Sequence, residues 1–156
     1  MKIRLITVFR NENEVINELT ADYVRRISYY TTFELVPVKV KKSPKELSIV
    51  EQKKEEAQLI LKNIQAGDYV VILDELGKEF TSAKFAEYIR KKMDTSVKSL
   101  VFIIGGAFGF DEQLYKSKDD MICLSRLTMP HQLAKLIFTE QLYRAFTIIK
   151  NEKYHH

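Results

Sequence analysis

Apolar and polar positions along this chain alternate between two rhythms. Short runs rich in β-branched residues are separated by longer segments in which apolar positions recur at helical spacing. That alternation is the pattern of βαβ units, so the fold class is α/β, a mostly parallel sheet flanked by helices. The predicted strands are KIRLITVF (Lys2–Phe9), FELVPVKV (33–40), DYVVILD (68–74), SLVFIIG (99–105) and MICLS (121–125). Pro37 sends the second of these to an edge or a bulge, because proline has no N–H to give to a ladder. Helical spacing predicts helices over Glu14–Ile27, 44–64 and Ser82–Met93. Ser43 before Pro44 is a start signal for the second, and Gly67 is expected to close it.

The last helix breaks the amphipathic rule. From Pro130 it reads HQLAKLIFTEQLYRAFTIIK, with apolar residues far outside one stripe. Such a helix needs cover on more than one side. Either it lies centrally within one subunit, or a second copy of the chain covers part of it; the second reading makes the protein a homodimer. Thr128 or Met129 is the expected cap, and His131 falls in the first turn.

Length and composition add limits. At 156 residues and 46% hydrophobic content the chain fits a single domain, 1–156, with one sizeable core. No apolar run approaches the roughly 18 residues of a membrane span, and the lone Cys123 has no internal partner for a disulfide, so a cytoplasmic protein is expected. Polar NENE follows MKIRLITVF where a leader would need small residues, which favours a strand there. The net charge of +4 permits a polyanionic partner without demanding one. KVKKSPK (39–45) and EQKKEE (51–56) read as solvated faces.

Three stretches are candidates for chemistry. IIGGAFGF (103–110) puts glycines directly after a strand, where they serve either a tight turn or a ligand approached closely by the backbone. Its GGxxG spacing is not the dinucleotide fingerprint. LDELGKEF (73–80) gathers Asp74, Glu75 and Lys78 around Gly77, as a polar loop or a ligand loop. LSRLTMPHQLAK (124–135) leads into the apolar helix. The histidines and the cysteine show no metal-ligand spacing, and no GxSxG elbow is present. The terminal NEKYHH reads three ways, as a tag remnant, a frayed tail or the end of an active site.

Taken together, LDELGKEFTS, FIIGGAFGF and LSRLTMPHQLAKLIFTEQLYRAFTIIKNEKYHH resemble, in order and separation, the SPOUT-class pseudouridine methyltransferases of the large ribosomal subunit, the RlmH family. The resemblance spans essentially the whole chain. It implies methyl transfer from S-adenosylmethionine to N3 of a pseudouridine in the intersubunit-bridge stem-loop of 23S rRNA, on assembled ribosomes, by a homodimer. It also implies a C-terminal trefoil knot, which pattern rules would never propose.

Carried onto this sequence, the family's cofactor contacts fall on Leu73, Gly105, Leu124, Ser125, Arg126, Leu127, Thr128 and Met129. Its candidates for holding the target base fall on Arg144, Tyr154 and His155. Arg144 would pair with the base or its phosphate, Tyr154 would stack, and His155 would accept the N3 proton or bond a carbonyl. A structural alternative pairs Arg144 with Glu140 one turn earlier. No metal is implied. Two departures stand out, KYHH in place of PYHR or AYHK and Leu76 in place of the arginine of LDERGK. Arg25, Arg26, Arg90, Lys91 and Lys92 are the cations expected to meet the ribosome. The rival classes are a nucleotide-binding or redox protein and a ribosome factor without catalysis.

Overall fold

A computed structural model of the chain describes residues 1–9, 13–40 and 47–154. Its elements run β1 (Lys2–Phe9), α1 (Glu14–Ile27), β2 (Thr32–Lys39), α2 (Ile49–Leu61), β3 (Asp68–Glu79), α3 (Ser82–Met93), β4 (Ser99–Ile104), α4 (Glu112–Ser117), β5 (Asp120–Cys123) and α5 (His131–Ile149). The five strands form one sheet in the order β2-β1-β4-β3-β5, and every pairing is parallel. β2 is an edge strand, where Pro37 is tolerated.

Strand alternation divides the core in two. Ile3 and Leu5 of β1 and Leu100, Phe102 and Ile104 of β4 face one side, where Phe85, Ile89, Phe138 and Leu142 of α3 and α5 cover them. Ile6, Val8, Val101 and Ile103 face the other side, under Ala57 and Ile60 of α2 and Leu114 of α4. β4, buried on both faces, is apolar from Leu100 to Ile104, as a central parallel strand must be.

Three boundaries differ from the sequence expectation by more than two residues, while β2, β4 and β5 shift by one or two. α2 starts at Ile49, because Ser48 and Glu51 form a capping box in which Ser48 Oγ accepts from the Glu51 N–H at 3.3 Å and Glu51 Oε2 accepts from the Ser48 N–H at 2.9 Å. Ser43 and Pro44 lie outside the described residues. The same helix ends at Leu61, so Gly67 (φ 88°) does not close it but makes the turn into β3. β3 runs on to Glu79 and absorbs most of the stretch expected to be a loop. α4 is an element the sequence pattern did not show, since one turn and a half is too short to display a period.

α5 has Pro130 at its N-cap, with no side-chain bond there, so neither Thr128 nor Met129 caps it. Its apolar breadth is met largely within one chain: it lies on the sheet between α1 and α3. Lys135 reaches Asn17 of α1 (2.8 Å), Gln141 meets Ser82 of α3 (2.7 Å), and Phe138 rests on Phe102 with ring centroids 4.6 Å apart. Leu133 and Ile137 stay exposed on the remaining strip. No helix among the described residues is long and apolar enough to cross a membrane.

At the amino ends of the strands, the buried guanidinium of Arg4 pairs with Asp68 and donates to the Asn63 carbonyl at 2.9 Å, while Asp68 also accepts from the Gln65 N–H at 2.6 Å. Removing one member leaves the other charge buried alone. Asp68→Ala should therefore destabilise the fold by about 3–5 kcal/mol, measured by urea denaturation of the purified chain.

Candidate functional site

The carboxyl ends of three strands stand level because of register. Leu73 of β3 is opposite Ile104 of β4 on one side and Ile122 of β5 on the other. The loops leaving those three strands therefore begin side by side. The β3–β5 ladder breaks after Leu73 and resumes at Lys78, again opposite Ile122, so Asp74, Glu75, Leu76 and Gly77 bulge outward. A Cβ on Gly77 would lie 2.6 Å from the Ile122 nitrogen, so only glycine lets the returning chain come this close to β5.

Between these loops is a cleft of about 810 Å³. Leu73, Gly105, Leu124, Ser125, Leu127, Thr128 and Met129 line it, which is every predicted cofactor position except Arg126. Arg126 turns away and makes a two-pronged bridge to Glu79, with Nε and Nη2 at 2.6 and 3.1 Å from its carboxylate oxygens. Its side chain is 81% exposed. The Ser125 hydroxyl accepts from the Leu127 N–H at 3.0 Å and shapes the turn ahead of α5. Leu76 and Leu127 stand on the rim with most of their surface open.

The polar groups of the cleft come from several elements. Asp74 accepts from the Leu76 N–H (2.9 Å) and from the Tyr115 hydroxyl (2.7 Å). Burial, and then the bond to Asp74, keep the Tyr115 hydroxyl protonated well above its ordinary range. Glu75 and His131 also line the cleft, both among the candidates seen in the sequence, whereas Lys78 points to Asp120 at 3.4 Å instead. Lys53 of α2 and Tyr115 of α4 were not anticipated. Lys53 sits in the charged run taken as a solvated face, and Tyr115 on the helix too short to be recognised.

Arg144 and Tyr154 lie elsewhere, together. Glu140 accepts from Arg144 through Nε and Nη2 at 3.0 and 2.5 Å and from the Tyr154 hydroxyl at 3.2 Å. The guanidinium stands 4.8 Å from the centre of the Tyr154 ring, and that ring meets Tyr143 edge-on at the same separation. The Tyr23 hydroxyl is 3.4 Å from that of Tyr154. Burial first, then Tyr23 and the Glu140 charge, raise the Tyr154 pKa, so its hydroxyl stays protonated at neutral pH. The pairing of Arg144 with Glu140 is the structural alternative weighed from the sequence. His155 lies outside the described residues. The cleft lining continues along α5 as far as Ala134, and Arg144 lies about 15 Å further along that helix at roughly 1.5 Å per residue, so the guanidinium stands apart from the cleft within one chain.

Among the described residues no group of three or more His, Cys, Asp and Glu side chains is placed to hold a metal ion. The donor set suits an organic ligand instead: aliphatic walls, backbone at glycines, two carboxylates and one cation.

Comparison with known proteins agrees in extent with the resemblance seen in the sequence. A family model described as "Predicted SPOUT methyltransferase" matches residues 1–155. The chain is 46% identical to a protein of Christiangramia forsetii and 47% identical to one of Parabacteroides distasonis, in both cases over 100% of this chain and 99% of the relative. A Flavobacterium johnsoniae protein is 45% identical with the same coverage. All three bear the name ribosomal RNA large subunit methyltransferase H. With its parallel sheet and strand-end cleft, the chain belongs to the SPOUT methyltransferase family, in the ribosomal RNA large subunit methyltransferase H group.

Proposed function

We propose that this chain is an S-adenosylmethionine-dependent methyltransferase acting on N3 of a pseudouridine in the intersubunit-bridge stem-loop of 23S rRNA, on assembled ribosomes, as a homodimer in the cytoplasm. The observation that carries the reading is the cleft at the ends of β3, β4 and β5, with the family's cofactor positions gathered along it. The relatives' shared name supports ribosomal RNA as the substrate class. The C-terminal knot belongs to the same reading and rests on the resemblance alone.

The cleft residues fit the methyl donor. Leu73, Leu124 and Met129 offer an apolar slot for adenine, and the peptide groups beside Gly105 can meet its edge. Asp74 and Glu75 bring negative charge for a sulfonium and an ammonium, and Lys53 brings positive charge for a carboxylate. When bound, S-adenosylmethionine supplies an electrophilic methyl carbon. The chain's own part is to hold that group and the base in line, and to keep water out, so positioning dominates. The target N3 must give up a proton, to the His155 imidazole or to water, and the guanidinium of Arg144 is the cation that would stabilise the resulting charge, released from Glu140 to do so. Tyr154 serves as a neutral stacking and hydrogen-bonding surface.

Two observations support a dimer in which the tail acts across the subunit boundary. Leu133 and Ile137 leave an apolar strip on α5 that nothing among the described residues covers fully. Arg144 stands about 15 Å along α5 from Ala134, which lines the cleft, at roughly 1.5 Å per residue, and that distance favours its meeting the cleft of a partner subunit.

Three outcomes are expected. Ribosomes lacking the modification, incubated with labelled S-adenosylmethionine, should accept label at one pseudouridine, and a chain lacking Tyr154, His155 and His156 should transfer none while keeping its cofactor affinity by calorimetry. Label at another nucleotide would refute the target, and no label despite cofactor binding would refute the enzyme. In heterodimers pairing Gly105→Val with the tail deletion, one working site should return; no recovery would place the tail in cis. Replacing Arg25, Arg26, Arg90, Lys91 and Lys92 should flatten the salt dependence of ribosome binding, by a slope of about 0.7 to 0.9 for each lost phosphate contact.

A further inference from the structure

The run EQKKEE, read from sequence as a solvated face, is not one. Gln52 and Glu56 of α2 are buried, at 3% and 4% exposure. Gln52 Nε2 donates to Glu56 Oε1 at 3.2 Å, one helical turn along. The Glu56 carboxylate rests on the loop that leaves β4: a Cβ built on Gly106 would lie 2.7 Å from Oε1 and 2.8 Å from Cδ, and closer still to Oε2. Gly106 does not have a positive φ, so its backbone conformation does not call for glycine. What calls for glycine is the carboxylate, which fills the space a side chain would take.

Burying a carboxylate is costly unless its surroundings use it. This one contacts the loop whose Gly105 and Gly106 line the cleft and whose turn is closed by the Gly109 N–H donating to the Gly106 carbonyl at 3.2 Å. Lys53, three residues before Glu56 on the same helix, reaches the cleft directly. α2 therefore touches the site twice, once from inside the cleft and once from beneath its floor.

We propose that Glu56 is a positioning residue for the ligand-binding loop after β4, its buried carboxylate setting the height of the Gly105–Gly106 backbone in the cleft and so the affinity for the methyl donor. The inference rests on the reading that the cleft takes S-adenosylmethionine. Glu56 touches no ligand in this scheme. It acts through the loop, and it also explains why α2 carries a charge on a face otherwise packed by Ala57 and Ile60.

The test is a two-residue cycle read by calorimetric titration with S-adenosylmethionine and by thermal melting of the same samples. Glu56→Ala, which vacates the space beneath Gly106, should weaken binding by about tenfold or more, and Glu56→Gln, equal in size, should restore most of it with the melting temperature nearly unchanged. Gly106→Ala alone should weaken it too, because the methyl meets the carboxylate. In Glu56→Ala, where that space is vacated, adding Gly106→Ala should cost nothing further. Equal affinity in wild type and Glu56→Ala would overturn the proposal, as would strictly additive losses in the cycle. Losses that track melting temperature in every variant would also overturn it, making Glu56 a packing residue only. A wild-type chain that binds no S-adenosylmethionine would instead refute the cofactor reading and this inference with it.

Discussion

Leu73 stands level with Ile104 on one side and Ile122 on the other, and the cleft is a consequence of that register. In a parallel sheet all strands deliver their carboxyl ends to one edge, and adjacent strands in matched register deliver them to one place. The order β4-β3-β5 makes neighbours of loops separated by some fifty residues of sequence. A slip of one residue would turn every side chain of a strand to the opposite face, and the two halves of the core forbid it. The packing that holds Phe102 against Phe138 thus also holds the strand-end loops together.

Much of this was legible in the sequence because it depended on local rules. β1, α1 and α3 fall on the bounds their periodicity indicates, and Pro37 falls on an edge strand. What stayed hidden depended on partners far along the chain. The extension of β3 past Gly77 exists only because β5 offers a second stretch to pair with. α5 looked as though it needed another subunit because nothing in its own sequence says that α1 and α3 would flank it. The burial of Glu56 is the clearest instance, since a charged run of that composition lies on the surface unless a tertiary neighbour claims one of its members.

The site itself was legible in two different degrees. The glycine loop and the stretch before α5 suggested a ligand site without saying which, and only the family resemblance joined them to Leu73. The split between a cleft at one end of α5 and an arginine and tyrosine cluster toward the other was invisible in both readings, because a linear motif carries no distance. It becomes plain once α5 is an unbroken helix. Electrostatics sharpen the division: the cleft mixes both signs of charge, whereas Arg144 is paired with a single carboxylate and lies over the ring of Tyr154, whose hydroxyl keeps its proton.

α5 is made after every strand of the sheet, and it covers the first. Leu5 of β1 and Phe102 of β4 lie in the core cluster that Phe138, Leu142 and Phe146 complete. Until those residues leave the ribosomal exit tunnel, the strip of that sheet face between α1 and α3 is an open apolar surface. A chain cut short before α5 would emerge with the strip between α1 and α3 bare, prone to association with other chains.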